Sequence, residues 1–237
     1  MKLGILSAIH PEESQVNWGG SPVDAYIRFF QSAGGRFEFV GYQVALGQPP
    51  ESPDECDAYI VTGSPRGVYD DDPWIAPLAQ FLRDCYAAGK KLIGICFGHQ
   101  MLAHALGGQA WKSEKGWGLG QKRIEVSGER PWMAGDNGSI NLYFAHQDQV
   151  TSLPPGAELL GGNDFCPIGF YDIGEQVLAI QGHPEFTAGI MEDILSRKEG
   201  HIDDELYREA VSSLDNGRPD GQQVGRWMVN FLTGSFS

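Results

Sequence analysis

A cysteine between two glycines, placed directly after a short apolar run, constrains the fold of this chain more than any other feature. The run spans residues 91–95, Cys96 follows it, and the glycines are Gly94 and Gly98. This spacing is typical of a strand that turns sharply into a helix, because side chains at the two glycines would clash where the chain doubles back. The spacing predicts that Cys96 projects from the edge of a sheet at a helix N-terminus.

The rest of the first half alternates short apolar runs with amphipathic segments. Strands are predicted at residues 3–8, 37–42, 58–62 and 91–95, and helices at residues 23–33, 73–88 and 98–106. Asp72 followed by Pro73 predicts a capped start for the second helix, because proline suits the first helical position. The alternation predicts an α/β fold, with a mostly parallel central sheet and helices on both faces.

Beyond residue 111 the pattern changes to shorter strand-like runs separated by turn-rich segments. The runs lie at residues 123–126, 140–144 and 177–180, and closing helices are predicted at residues 187–197, 203–214 and 223–232. We expect these runs to extend the sheet or to form a small antiparallel flank.

Length and composition favour one domain. A chain of 237 residues, of which 41% are hydrophobic, can fill one continuous α/β core. No repeat, low-complexity tract or long linker divides it, so residues 1–237 are predicted to form a single domain. No apolar run is long enough for a signal peptide or a membrane span, and we expect a cytoplasmic protein.

The net charge argues against two classes of partner. The chain has 17 Lys and Arg against 31 Asp and Glu, a formal charge of -14. This charge opposes attraction to phosphate backbones and to anionic lipid, so neither nucleic acid nor a membrane is expected as a partner. We interpret the acidity as a source of solubility and infer no substrate from it.

Each of the four cysteines needs its own explanation, because their spacing suits neither a disulfide framework nor a zinc site. Cys56, Cys85 and Cys166 lack glycine neighbours and an evident base, so we interpret them as packing residues. A lone cysteine is more often a small buried hydrophobe. The context of Cys96 favours a nucleophile, because a helix N-terminus favours its thiolate and aims the Phe97 N–H where an oxyanion would form.

A base for this cysteine is available after the apolar run at residues 177–180. His183 follows the predicted strand, and Glu185 comes two residues later. Reactive groups gather at the carboxyl edge of parallel sheets, so His183 is expected to face Cys96 while Glu185 orients the imidazole. A histidine at a strand end often only completes a local hydrogen bond, but the intervening proline fixes the reach of the carboxylate and favours the functional interpretation.

Four motifs in this order resemble the class I glutamine amidotransferases. They are VTGSP at residues 61–65, GICFGHQ at residues 94–100, AHQDQV at residues 145–150 and HPE at residues 183–185. The resemblance covers roughly residues 58–190 and implies the family's flavodoxin-like fold. The sequence of residues 62–74 is similar to the stand-alone, GMP synthase-like subgroup of the family.

The resemblance implies roles for five residues. Cys96 is the nucleophile, His183 the general base and acid, and Glu185 the orienting carboxylate. The backbone N–H groups of Ser64 and Phe97 hold the oxyanion. Many members of the family have glycine where this chain has Ser64, and if that position demands a positive φ, serine costs about 1 kcal/mol more than glycine.

The resemblance also implies a substrate. Gln100, assisted by backbone groups around Gln147 and Asp148, is in the family's position for binding the α-amino acid end of glutamine; the alternative is a solvated helix residue. The implied reaction hydrolyses the side-chain amide of glutamine through a cysteine thioester and needs no cofactor. A synthetase partner would have to use the ammonia, because the sequence contains no Gly-x-x-x-x-Gly-Lys phosphate-binding motif.

Two other functions are left open by the sequence. The first is a hydrolase with the same triad that acts on γ-glutamyl peptides, which a wide and exposed pocket would favour. The second is a regulatory or binding protein that keeps the fold without its chemistry. The presence of Cys96, His183 and Glu185 together argues against the second.

Two further groups of residues are interpreted without a role in the reaction. The run Asp70, Asp71 and Asp72 suits hard cations in type, but consecutive residues cannot all face one ion without an ordered loop, so no metal site is proposed. Trp111 and Trp117 are interpreted either as core residues or as walls of the active-site mouth.

Overall fold

The computed structural model describes residues 1–12, 14–135 and 138–234. Within these residues the chain forms eleven strands and six α-helices. The strands are β1 (Lys2–Leu6), β2 (Glu38–Tyr42), β3 (Ala58–Val61), β4 (Lys91–Ile95), β5 (Gln109–Lys112), β6 (Gly118–Val126), β7 (Ser139–His146), β8 (Asp148–Ser152), β9 (Glu158–Gly162), β10 (Phe170–Ile173) and β11 (Val177–Ile180). The helices are α1 (Pro22–Ser32), α2 (Ile75–Ala87), α3 (Phe97–Ala105), α4 (Ala188–Ser196), α5 (Asp204–Ser212) and α6 (Gly221–Thr233).

Nine of these strands form one sheet in the order β2-β1-β3-β4-β11-β10-β9-β6-β7. The strands from β2 to β11 in this order run parallel, and from β11 to β7 each neighbour is antiparallel. The remaining strands, β5 and β8, pair in a separate two-stranded sheet. The predicted α/β fold class is confirmed, and the later runs both extend the sheet and form an antiparallel flank.

Helices cover both faces of the parallel strands because side chains alternate along each strand. Ile93 and Ile95 of β4 join a core with α1 and α6, whereas Leu92 belongs to the core on the other face with α2 and α3. A third cluster packs α4 against the antiparallel strands through Met191 and Leu195. Burial of each such side chain stabilises the fold by about 1.5–3 kcal/mol.

The predicted capping of the second helix by Asp72 is wrong. Helix α2 begins at Ile75 with Trp74 as its N-cap residue, and no side chain caps it. The Ile75 N–H donates to the Asp72 carbonyl, which makes residues 72–75 a turn before the helix. The Asp72 carboxylate lies 3.2 Å from Nε of Arg66 and pairs with it instead.

The sequence pattern does not predict four of the strands, which are β5, β8, β9 and β10. Each has four or five residues, and β5 and β9 expose several of them, so their apolar periodicity is weak. Pairing with other strands defines them: β5 pairs with β8, and β9 joins the sheet through β6 and β10. None of the helices in the described residues combines the length and apolar character that crossing a membrane requires.

Candidate active site

Cys96 lies in the tight turn between β4 and α3. Its backbone has φ 55° and ψ -105°, and it is the one residue other than glycine with a positive φ in the described chain. A Cβ at Gly94 would collide with the carbonyl oxygen of Gly98, and a Cβ at Gly98 with that of Val61. The two glycines therefore allow the close packing of strand and helix that holds Cys96 in a conformation costing about 1–3 kcal/mol.

His183 is brought to Cys96 by the pairing of β4 with β11. These strands are parallel neighbours in which Ile95 lies opposite Ile180, and the Cys96 N–H donates to the Ile180 carbonyl at 2.9 Å. The His183 N–H donates to the Tyr143 carbonyl at 2.8 Å, which fixes the segment that follows β11. Both side chains thus lie at the carboxyl edge of the parallel strands, as the sequence predicts.

Glu185 and Tyr26 form a buried hydrogen-bond chain behind His183. Nδ1 of His183 lies 2.7 Å from Oε1 of Glu185, and the Tyr26 hydroxyl donates to the same oxygen at 2.8 Å. The Tyr26 hydroxyl also accepts the Gly63 N–H at 3.0 Å. Tyr26 therefore links the predicted triad carboxylate to the loop that follows β3.

Sequence reasoning did not single out Tyr26. It lies on the buried face of α1 among Val23, Phe29 and Phe30, where its spacing is that of a core residue. The only sequence signal is the phenolic hydroxyl itself, since a buried tyrosine usually needs a hydrogen-bond partner. Its two partners lie 37 and 159 residues away along the chain, so only the fold identifies them.

The charges around His183 favour its protonated form. Burial by itself lowers the pKa of this imidazole, but the charges of Glu185 and Cys96, together with hydrogen bonds to both, outweigh burial and raise the pKa to about 10. Burial and the neighbouring Glu185 charge raise the pKa of Tyr26 well above its ordinary value, so its hydroxyl remains a donor. At neutral pH the site therefore combines an imidazolium with a carboxylate that accepts two hydrogen bonds.

An aromatic pair fixes the plane of the His183 ring. Phe186 stacks on the imidazole with ring centroids 3.8 Å apart and an interplanar angle of 14°. Trp18 meets Phe186 edge-on, with centroids 5.7 Å apart. The imidazole is thus held between a carboxylate at Nδ1 and an aromatic face, which restricts its rotation.

The loop after β3 lies against the side chains of both Cys96 and His183. A Cβ at Gly63 would lie 3.0 Å from Cε1 of His183 and 3.8 Å from Cβ of Cys96. Ser64 follows without a positive φ, so the conformational cost considered for serine at this position does not arise. Its hydroxyl accepts the Arg66 N–H at 3.2 Å. The assignment of the Ser64 and Phe97 amides to an oxyanion hole stays a prediction.

Gln100 is buried, and its amide is engaged within the protein. Its Nε2 donates to the Asp148 carbonyl at 2.6 Å and to Oε1 of Gln181 at 3.1 Å. The Gln147 carbonyl accepts the Ser113 N–H. Gln100 is thus not a solvated helix residue, because it holds the backbone at Asp148. A contact of these residues with substrate stays a prediction.

A cavity of about 210 Å³ opens beside Cys96 and His183. Its walls are largely apolar, and Lys198 lies among them in addition to His183. Residues from the first loop, from the segment before β6, from the segment after β11 and from α4 supply the walls: Ile9, Val16, Trp18, Trp117, Phe186 and Ile194. Trp117 is therefore a wall of the cavity, whereas Trp111 is 59% exposed and packs on Tyr69.

The other three cysteines are not among the residues that line the cavity. Cys56, Cys85 and Cys166 are buried free thiols, and burial raises the pKa of Cys85 and of Cys166 to about 12. In residues 1–12, 14–135 and 138–234, no three His, Cys, Asp or Glu side chains converge on a point where a metal ion could bind.

Comparison with known proteins gives consistent similarities in sequence. The family model described as "Glutamine amidotransferase class-I" matches residues 16–199. Gamma-glutamyl peptidase 3 of Arabidopsis thaliana is 28% identical over 225 residues, which cover 91% of this chain and 90% of that protein. The glutamine-hydrolysing GMP synthase of Aromatoleum aromaticum is 33% identical over 147 residues, or 58% of this chain and 27% of the synthase.

The fold is also shared with solved structures. A glutamine amidotransferase from Thermotoga maritima superposes with a TM-score of 0.76 over 98% of this chain and 97% of that one, at 16% sequence identity. At this identity the similarity concerns the arrangement of helices and strands alone.

Proposed function

Because the chain belongs to the class I glutamine amidotransferase family, we propose that it hydrolyses γ-glutamyl amides through a thioester on Cys96. The side-chain amide of glutamine is the simplest such substrate, and a γ-glutamyl peptide is the larger alternative. The observation that carries the proposal is the continuous chain of contacts from Cys96 through His183 and Glu185 to Tyr26. A binding protein without chemistry has no use for a nucleophile, a charged imidazole and an orienting carboxylate in this order.

In the first step the Cys96 thiolate attacks the carbonyl carbon of the γ-glutamyl amide. The raised pKa of His183 supports this step, because an imidazolium beside the sulfur stabilises the thiolate. The charge that develops on the carbonyl oxygen would be held by the backbone N–H groups of Ser64 and Phe97. Gly63 helps to fix that loop, since its own N–H is bound by Tyr26.

In the second step the tetrahedral intermediate loses its nitrogen. His183 gives its proton to the leaving nitrogen as the C–N bond breaks, which releases an amine or ammonia and leaves a γ-glutamyl thioester on Cys96. Glu185 keeps Nδ1 of the imidazole protonated, so the opposite nitrogen faces the reaction.

In the third step water hydrolyses the thioester. The neutral His183 left by the second step takes a proton from water, and the resulting hydroxide attacks the thioester carbonyl. Glutamate leaves, and the imidazolium and thiolate are regenerated. The Tyr26 hydroxyl supports this cycle by holding Oε1 of Glu185 in place while the charge on His183 changes.

The relatives bear on the fate of the nitrogen. The similarity extends along 90% of a γ-glutamyl peptidase but along 27% of a GMP synthase. This difference supports hydrolysis as the reaction, with release of the amine. Transfer of ammonia to a synthetase partner is the competing proposal.

The test measures glutamate and ammonia released by the purified protein from glutamine, and glutamate released from γ-glutamyl dipeptides. We expect turnover by the wild-type chain and a loss of at least about 10⁴-fold in Cys96→Ala, because the thioester cannot form. Cys85→Ala is the matched control, since Cys85 is a buried thiol in α2 outside the site. Equal activity of wild type and Cys96→Ala would contradict the proposal.

A further inference from the structure

The direction in which the leaving group departs follows from the position of His183. The imidazole must reach the leaving nitrogen to protonate it, so this nitrogen and whatever it carries lie on the His183 side of Cys96. The cavity beside Cys96 lies on this side, because His183 and Phe186 form part of its wall. The residues predicted to hold the amino acid end of the γ-glutamyl group, Gln100 and Asp148, are not among its lining residues.

The volume of this cavity distinguishes ammonia from larger leaving groups. Its volume is about 210 Å³, whereas a molecule the size of water occupies about 30 Å³ in the liquid. Drug-sized ligands occupy pockets of roughly 300–1,000 Å³. The cavity is therefore larger than ammonia requires and matches one small organic group.

The walls of the cavity indicate the nature of that group. Val16, Ile194 and the rings of Trp18, Trp117 and Phe186 face it, so an apolar side chain placed there would be removed from water. Ammonia or a short polar amine would gain nothing from these contacts. The walls therefore favour an aliphatic or aromatic leaving group.

Lys198 adds one charge to these apolar walls. Its ammonium lies 3.7 Å from the ring centroid of Trp117, and the side chain is about half buried. Among the described residues no carboxylate pairs with it, in contrast to Arg197 beside it, which pairs with Asp193 at 3.2 Å. Partial burial lowers the pKa of Lys198, and a carboxylate of the ligand beside the ammonium would raise this pKa again.

We propose that the leaving group is an amino acid with an aliphatic or aromatic side chain, whose α-carboxylate is bound by Lys198 and whose side chain fills this cavity. The substrates are then γ-glutamyl dipeptides such as γ-glutamyl-phenylalanine and γ-glutamyl-leucine. This inference rests on the proposed function of Cys96, and it names the substrate class for that site.

The reaction balances with water as the only co-reactant. Cys96 sulfur forms a bond to the γ-carbonyl carbon, the bond from that carbon to the amino acid nitrogen breaks, and His183 supplies the proton that this nitrogen takes. Water then replaces sulfur on the carbonyl carbon. One γ-glutamyl dipeptide and one water give glutamate and one free amino acid.

The first arm of the test compares substrates on the wild-type protein. We expect kcat/KM for γ-glutamyl-phenylalanine and γ-glutamyl-leucine to exceed that for γ-glutamyl-glycine and for glutamine by at least about tenfold, since the buried side chain contributes to binding. We expect γ-glutamyl-aspartate to be the poorest dipeptide, because its second carboxylate would lie among apolar walls.

The second arm tests Lys198. The ratio of kcat/KM for γ-glutamyl-phenylalanine to that for its C-terminal carboxamide is expected to be about five in the wild type, as for a partly exposed ion pair, and near one in Lys198→Met. Lys2→Met is the matched control, because Lys2 begins β1 at the opposite edge of the sheet from Cys96. The ratio should be unchanged in this control.

Two outcomes would overturn the proposed substrate class and can be told apart, and a third would overturn the role of Lys198. If glutamine and γ-glutamyl-glycine are cleaved in a Cys96-dependent way as fast as the apolar dipeptides, the substrate class is wrong while the proposed function stands. If no γ-glutamyl amide is cleaved, both are wrong. An unchanged carboxylate-to-carboxamide ratio in Lys198→Met would show that Lys198 does not bind the α-carboxylate of the leaving amino acid.

Discussion

Two buried histidine regions near the carboxyl edge of the sheet differ in charge. His183 pairs with Glu185 and lies beside Cys96, and these charges overcome burial to raise its pKa to about 10. His146 lies on β7, three residues after Tyr143, whose carbonyl accepts the His183 N–H. Its ring lies between those of Phe144 and Phe165. Its burial, and then the positive charge of His183, lower its pKa to about 3.

The difference shows that burial alone does not set the charge of a histidine. Both rings are at most 5% exposed, so desolvation opposes the charge of each. Only His183 has a carboxylate within hydrogen-bond distance of its ring. The carboxylate decides which imidazole is charged, and the charged one lies beside the thiol.

The two regions also make opposite contributions to stability as pH changes. The pKa of His183 is higher in the folded protein than its unfolded value of about 6.5. Its contribution to the free energy of unfolding is therefore complete below pH 6.5 and is lost as pH rises towards 10. The pKa of His146 is lower in the folded protein than in the unfolded chain. Its contribution to the free energy of unfolding is therefore present above pH 6.5 and is lost as pH falls towards 3.

Glu185→Gln should break the contrast between the two histidines and have the largest effect. Without the carboxylate charge, burial dominates at His183 and its pKa falls, so kcat is expected to drop by about 10³–10⁴-fold. The alkaline limb of the kcat/KM profile, near pH 10 in the wild type, should move to lower pH. The measurement is the pH dependence of glutamate release.

The control for this variant is Glu175→Gln, which changes an exposed carboxylate in the turn before β11. It should leave both kcat and the pH profile unchanged. An unshifted alkaline limb in Glu185→Gln would show that Glu185 does not set the charge of His183.

Tyr26→Phe should weaken the contrast without removing it. The variant deletes the hydroxyl that donates to Oε1 of Glu185 and accepts the Gly63 N–H. We expect kcat to fall by about tenfold with little change in KM, since one hydrogen bond to a charged group is worth about 1.5–3 kcal/mol. Steady-state kinetics on glutamine or a dipeptide measures the split between kcat and KM.

Tyr42→Phe is the matched control, because the Tyr42 hydroxyl also bonds a carboxylate, at 2.9 Å from Glu55, far from the site. This control should keep the wild-type kcat. If both variants lose thermal stability equally and neither changes kcat, Tyr26 contributes only to packing.

His146→Phe should sharpen the contrast, with the smallest effect on catalysis. Neither ring nitrogen of His146 has a hydrogen-bond partner within the described residues, so a phenyl ring removes two buried polar atoms and should raise the free energy of unfolding by about 1–3 kcal/mol at pH 7. Below pH 6.5 the wild type takes up a proton at His146 when it unfolds, and the variant does not. The free energy of unfolding of the variant should therefore fall less steeply with decreasing pH, by about 1.4 kcal/mol per pH unit.

Denaturant unfolding at several pH values between 3 and 7 measures this difference. A slope unchanged from the wild type would mean that His146 is not held neutral in the folded protein. Activity measured at pH 7 is expected to remain within about twofold of the wild type, since His146 makes no described hydrogen bond in the site.

The elements that the sequence predicts well are those with strong local signals. The run at residues 91–95 followed by glycine-flanked Cys96 gives both β4 and the turn into α3, because steric limits on that turn act between near neighbours. Helix α1 is likewise predicted within one residue at each end, since its amphipathic pattern is a local signal. Strands such as β5 escape prediction because the partner strand, β8, is distant in the chain.

The sequence by itself determined the α/β class, the position of Cys96 at a strand-to-helix turn, and the family that its four motifs resemble. These depend on spacing within short segments. The tertiary structure alone decided the roles of Tyr26 in the hydrogen-bond chain and of Lys198 in the cavity wall. It also decided which buried histidine is charged, because electrostatic interactions and burial depend on neighbours in space that residue order does not specify.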